Sequence, residues 1–267
     1  MMPDLLSWLL NQYAELVAAV RFLSILPLPG VSQRFETGST SASSQRIILG
    51  SGYFSLVGFF IGLLLSLLVV LFNPLLPHLA LSALLVVALV LLTGGLHLDG
   101  LMDSCDGLFG GRTRESRLEI MRDSRVGSFG VLGGVCVLLL KFAFFASLET
   151  HALYVALLCV LPVSRWAMVL ALRAFPSARP AGLGITFRQS VTLQHLYLAA
   201  GVALLIAIGI GHLAGVLVWL TASLIAIALS WWITRLLGGL TGDTYGAIAE
   251  ITEVVALLLM IILRTWV

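Results

Sequence analysis

Apolar residues run along this chain in long blocks and do not alternate with polar ones. Near 50–72, 79–97, 128–148, 152–172, 195–211, 214–237 and 246–264, Leu, Val, Ala, Ile and Phe follow one another with few interruptions. Runs of about 18–20 apolar residues can cross a hydrocarbon core of roughly 30 Å. A backbone in lipid must satisfy its own hydrogen bonds, which leaves helices or a closed barrel. Continuous runs, as opposed to short alternating strands, select helices. The pattern predicts an all-α polytopic bundle of about seven transmembrane helices. Residues 4–28 are apolar but interrupted by Glu15 and Arg21, and the stretch ends at Pro27 and Pro29. An amphipathic interfacial helix is expected there, followed by a Ser/Thr-rich loop over 31–46. No repeat or change of composition divides the chain. It reads as one membrane domain over 1–267, with 1–48 as interfacial helix and loop and 49–267 as the bundle.

Composition agrees with the pattern. The 267 residues are 60% hydrophobic and 10% charged, against about 25% charged in soluble domains. The lipid bilayer is the expected partner, and no nucleic-acid partner is expected. Three cysteines, Cys105, Cys136 and Cys159, have neither disulfide arithmetic nor metal-ligand spacing. The start, Met1-Met2-Pro3-Asp4, lacks the basic region and cleavage site of a removable signal peptide. Placing the N-terminus in the cytoplasm collects Arg34, Arg46, Arg112, Arg114, Arg117, Arg122, Arg125, Arg173, Arg179, Arg188 and Arg235 on the inner side. The expected outer connections, 73–78, 149–151 and around 211–212, hold no Lys or Arg. That asymmetry predicts a multi-pass cell-membrane protein (the inner membrane where there are two) with cytoplasmic chemistry. Glycines at Gly58 and Gly62, and at Gly127, Gly130, Gly133 and Gly134, read as close helix packing.

The chemistry concentrates in TGGLHLDGLMDSCDGLFGG, residues 93–111, where Asp99, Asp103 and Asp106 are spaced i, i+4, i+7. On a helix they share one face, and like charges there repel. A divalent cation reverses the sign of that repulsion, since magnesium is held by carboxylates together with substrate phosphates. His97 falls on the opposite side unless Gly100 or the Gly94–Gly95 pair bends the chain. A second acidic face, Asp243 and Glu250 with Glu253 beside them, opens the last apolar run. Acids within an apolar run mark an interior-facing site by default, and the positive-inside topology brings both faces to one side. One or two metal ions bridging a pyrophosphate are the expected occupants. Between the faces lies an arginine-rich stretch carrying Arg112, Arg122, Asp123 and Arg125, either an ion-paired surface helix or a phosphate grip. Lys141 and Arg165 lie inside apolar runs; Arg165 is the better phosphate candidate. Arg188 follows a Gly-bearing loop, 179–184, that is expected to order over a ligand.

These motifs together resemble one family. The segment 93–111, LEIMRDSRVGSFG at 118–130, Gly182-Leu-Gly184, and 238–253 beginning GGLTGDTYGAIAE are similar to the cobalamin synthase (adenosylcobinamide-GDP ribazoletransferase) family, in order and over nearly the whole chain. The resemblance implies joining of adenosylcobinamide-GDP with α-ribazole or its 5′-phosphate, giving adenosylcobalamin or its 5′-phosphate and GMP, with Mg2+ as cofactor. The reading of the residues fits that chemistry, with metal ligation expected from Asp99, Asp103, Asp106, Asp243 and Glu250, and substrate contacts from His97, Arg112, Arg122, Asp123, Arg125, Arg165 and Arg188. Asp99, Asp103 and Asp106 are then catalytic, with Glu253 or Asp123 accepting the hydroxyl proton. Two rivals remain. Asp103-x-x-Asp106-Gly is partly similar to the CDP-alcohol phosphotransferase signature, whose other elements do not follow. A cation-coupled transporter would place its acids near the midplane and often show inverted repeats.

Overall fold

The structure, a computed structural model, describes residues 5–28, 50–179 and 188–263. The loop expected over 31–46 and the Gly182-Leu-Gly184 motif lie outside the described residues. Helices account for the architecture; the sole extended pairing among the described residues is an isolated parallel bridge between Ser177 and Leu240.

Helix α1, Leu5–Leu23, buries Val17, Ala19, Val20 and Leu23 at its C-terminal end. Leu5, Leu6, Leu9 and Leu10 stay exposed, the half-docked apolar helix anticipated for the N-terminus. A 3-10 turn, Ser51–Tyr53, leads into α2, Phe54–Phe72. The Gly58 and Gly62 positions lie against the backbone of Leu161 and Leu157 on α7, Thr150–Ala174. A Cβ at either would fall 2.5 Å from a carbonyl oxygen, so the small-residue pair is what lets α2 and α7 pack so closely.

Among the described residues five helices are long and apolar enough to cross a membrane, or six if one bent pair counts as a single span, with Leu193–Leu237 counted once. The polytopic all-α fold follows; the number of seven spans is not confirmed by this count. The second expected span, 79–97, is not continuous. It divides into α3, His78–Leu92, and α4, Leu96–Gly110, with an 87° bend between them. Gly94 and Gly95 sit at the corner with φ 62° and 70°, backbone values that glycine adopts without a Cβ penalty. Past α5, Arg114–Ile120, helix α6, Ser128–Ser147, packs on α4.

Helix α8, Leu193–Leu237, is a hairpin broken at His212 (φ 48°, ψ −130°). Its first half runs from Ala199, whose carbonyl accepts a hydrogen bond from Ser55, to Gly211 beside Cys159. The second half returns past Trp219, stacked on Trp166, to Leu237. A Cβ on Gly215 would meet the Ala207 carbonyl at 2.0 Å, so the two halves touch at the turn. Helix α9, Gly242–Ile262, is capped by Thr241 and closes the bundle against α4 and α7.

Candidate active site

Two helices that enter the bundle at the same end build the site. The α4–α9 crossing is a backbone contact: a Cβ on Gly100 would stand 2.7 Å from the Asp243 carbonyl, and one on Gly246 2.9 Å from that of His97. With no side chain between them, the acids flanking these glycines come to one level. Asp99 is exposed, while Asp103 and Asp243 are half-buried. The three carboxylates feel one another's charge. Asp243 accepts a 3.3 Å hydrogen bond from the Thr241 hydroxyl. Its nearest basic group is Arg179, with Nη2 at 3.8 Å.

The other predicted acids are elsewhere or already engaged. Asp106, on the same face of α4, is buried and caps α6: its carboxylate accepts 2.8 Å hydrogen bonds from the N–H groups of Gly127 and Gly130. An anion at a helix N-terminus is stabilised by unpaired N–H groups and the helix dipole. Both carboxylate oxygens of Asp106, expected as a metal ligand, are engaged in capping α6. Glu250 and Glu253 point into the bundle, where Lys141 donates to both, at 2.7 Å to Glu250. Arg165 and Ser164 bond Glu253 in turn. The formal charges of Lys141, Arg165, Glu250 and Glu253 cancel, as apolar surroundings require. Glu250 is thus paired with Lys141, both carboxylate oxygens of Glu253 accept hydrogen bonds, and Arg165 serves Glu253 as a counter-ion.

His97 lines the same cavity as Asp99, with Gly246 of α9 packed against its backbone. It is buried beside this charge network, and neither ring nitrogen has a hydrogen-bond partner. With Asp99 and Asp243 it lines a cavity of about 150 Å3 between α4, α7 and α9. Phe22, Phe54, Leu96, Met168 and Leu172 supply the apolar wall.

The arginine-rich stretch splits. Arg125 pairs bidentately with Asp123, its Nη2 at 2.7 Å. Those hydrogen bonds hold the exposed Asp123 carboxyl down to about 2. Each residue of this exposed pair is taken up by the other. Arg112 is exposed. Arg122 lines an open groove of about 460 Å3 with Arg114 and Arg179, and Arg188 donates to the Phe175 carbonyl at 2.8 Å.

Arg179 is the residue the sequence reading passed over as a site residue. Its backbone is pinned: Ala178 N–H donates to the Leu240 carbonyl, Leu240 N–H donates to the Pro176 carbonyl, and Arg114 clamps the carbonyls of Leu237 and Ala178. The signal available was a lone Arg after an apolar span, which is common. Only the bridge to Leu240 ties it to Asp243.

Among the described residues, no three His, Cys, Asp or Glu side chains are gathered so as to hold a metal ion by themselves. Magnesium, however, is commonly bound by one or two carboxylates completed by water and substrate phosphate. Asp99, Asp103 and Asp243 are the carboxylates here that could contribute oxygen donors of that kind, beside a single Arg.

The chain matches the family model described as cobalamin-5-phosphate synthase over residues 15–261. An adenosylcobinamide-GDP ribazoletransferase of Roseiflexus sp. (strain RS-1) is 41% identical, covering 92% of this chain and 88% of the relative. The protein of that name from Desulfitobacterium hafniense (strain Y51) is 39% identical over 91% and 95%, and that of Klebsiella pneumoniae (strain 342) 38% over 91% and 98%. No solved structure matches. The acids at the α4–α9 crossing thus belong to a polytopic membrane enzyme, and the chain is a member of the cobalamin-5-phosphate synthase family.

Proposed function

We propose that the chain carries out the transfer for which its relatives are named. A ribose hydroxyl of α-ribazole, or of its 5′-phosphate, attacks the phosphorus attached to cobinamide in adenosylcobinamide-GDP. The bond from that phosphorus to the bridging oxygen breaks, GMP leaves with the oxygen and its electron pair, and the hydroxyl proton passes to the departing phosphate or to water. The product is adenosylcobalamin or its 5′-phosphate. No covalent enzyme intermediate is needed; positioning and charge stabilisation supply most of the barrier reduction in such transfers.

The observation that carries this reading is the set of carboxylates at the α4–α9 crossing. Asp99 and Asp103 have no hydrogen bond or ion pair among the described residues, and Asp243 has a 3.3 Å hydrogen bond from Thr241 and an ion pair with Arg179 at 3.8 Å. Unpaired acids side by side destabilise the chain that holds them, so their arrangement favours a ligand that reverses the repulsion. Asp99, Asp103 and Asp243 would hold Mg2+ together with diphosphate oxygens, and the ion would neutralise charge on the diphosphate and on departing GMP. Arg179 faces the same carboxylates and Arg122 lines the groove beside it, both suited to phosphate by their planar, permanent charge. The arginines around α5 cluster at this end, the distribution of a cytoplasmic face.

The test is reconstitution. Purified protein in detergent, given adenosylcobinamide-GDP, α-ribazole and Mg2+, is expected to release GMP and form cobalamin detectable by mass. Chelation should stop both. GMP release that persists without divalent cation, or no cobalamin with all components present, would overturn the reading.

A further inference from the structure

The cavity behind the acids is too small for a corrinoid. At about 150 Å3 it is well below the roughly 300–1,000 Å3 of pockets that enclose drug-sized ligands. It suits one flat fragment. Its wall is mostly apolar and partly aromatic, with Phe22 stacked on Phe54 at 5.7 Å. Two buried polar side chains in the lining have no hydrogen-bond partner: His97, at both ring nitrogens, and Tyr245, at its hydroxyl. Buried polar groups without partners are rare because each costs its desolvation penalty. Two of them in one small apolar cavity point to a ligand that completes them. Asp99, which is exposed, and half-buried Asp243 are also in the lining, so an occupant of the cavity adjoins the proposed transfer site.

We infer that this cavity seats the heteroaromatic base of the attacking nucleoside, with its ribose beside Asp99 and Asp243. The inference rests on the transfer proposed above and assigns the base subsite within it. Two bases take part in that reaction, and the polar inventory separates them. Guanine carries donors and acceptors along its whole edge, and burial here would leave most of them unpaired. A dimethylbenzimidazole offers a benzo ring, methyl groups and one free ring nitrogen, an acceptor. A largely apolar wall with His97 and Tyr245 as its buried unpartnered polar groups, and carboxylates only at Asp99 and Asp243, matches that base, and the ring nitrogen accepts from the His97 ring N–H or the Tyr245 hydroxyl. Guanine is left to the open groove lined by Arg114, Arg122 and Arg179 together with Glu115 and Glu119.

Calorimetric titration of the full chain in detergent tests this, with α-ribazole and guanosine as probes and steady-state KM for each substrate alongside. Wild-type protein is expected to bind α-ribazole without displacement by equimolar guanosine. Leu96→Trp, at an exposed position on the wall, should weaken binding more than tenfold. His97→Phe should weaken it roughly tenfold and Tyr245→Phe severalfold, as expected when a buried acceptor loses its donor. KM for adenosylcobinamide-GDP should stay unchanged in Leu96→Trp. Displacement by guanosine, no α-ribazole binding by wild type, or unchanged affinity in both Leu96→Trp and His97→Phe would overturn the assignment. Normal cobalamin formation by wild type alongside any of these would show that the transfer stands and only the base subsite is misplaced.

Discussion

Two groups of acids on neighbouring turns of this bundle meet opposite fates. Glu250 and Glu253 lie two and three turns into α9, surrounded by apolar side chains, and each is matched to Lys141 or Arg165. Asp99, Asp103 and Asp243 stand at the helix entrances, in reach of water, with one Arg at 3.8 Å among them. In the interior an unpaired charge is too costly to keep, so counter-ions are built into the fold. At the entrance, water screens repulsion enough for the chain to fold with the charges unsatisfied. The uncompensated group is the one left available to a cation and a diphosphate. Asp106 shows the intermediate case: an acid from the same helical face, drawn to the end of α6 and spent on two backbone N–H groups.

The sharpest way to break this comparison is to exchange the fates. Glu253→Leu strands Lys141 and Arg165 without their shared partner, and a loss of about 3–5 kcal/mol is expected, read as collapse of the thermal midpoint in detergent. An unchanged midpoint would mean that the network is not structural. Asp103→Asn should do the reverse: an unchanged melt, with GMP release falling by about 10²–10³-fold, the scale of losing one preorganised electrostatic contact. Substantial turnover in that variant would remove Asp103 from the site. Asp106→Asn keeps one acceptor oxygen but loses the charge. It should destabilise by about 1.5–3 kcal/mol, the worth of hydrogen bonds to a charged group, with chelator sensitivity retained. Altered metal affinity with an unaltered melt would return Asp106 to the metal site.

The smallest effect belongs to Asp123. Its carboxyl is held down to about 2 by the Arg125 hydrogen bonds, below an ordinary value of about 3.9. A depressed folded-state value contributes stability that is present above the ordinary value and lost as pH falls toward 2. Above about pH 4 the pair therefore adds no pH dependence. Because both side chains are exposed, Asp123→Asn should leave the melt and the pH–rate profile at neutral pH unchanged within error. A new inflection near neutrality would give Asp123 the proton-accepting role that its pairing with Arg125 argues against.

Much of the fold was legible because lipid imposes a one-dimensional rule: length and apolarity of a run announce a helix whatever surrounds it. Close packing at Gly58 and Gly62 was legible for the same reason, since small residues at helical spacing have few other uses in a bundle. The 79–97 run misled because its apolarity continues through Gly94 and Gly95, and hydropathy does not register a pair of left-handed residues. The hairpin at His212 was anticipated as two spans, although the only local marker was a short polar interruption.

The acids were harder. From the sequence alone Asp99, Asp103, Asp106, Asp243, Glu250 and Glu253 are equivalent carboxylates at helical spacing near one membrane face. What separates them is which partner each meets across a helix interface, and every such partner is distant in sequence: Gly127 and Gly130 for Asp106, Lys141 and Arg165 for the glutamates, Arg179 for Asp243. Local pattern thus determined that this chain is a helical membrane protein carrying acidic chemistry at one end of its bundle, because helix periodicity and bilayer thickness act on neighbouring residues. Which acids remain free for that chemistry was decided only by the tertiary structure, because charge neutralisation depends on distances of a few ångströms between helices far apart in the chain.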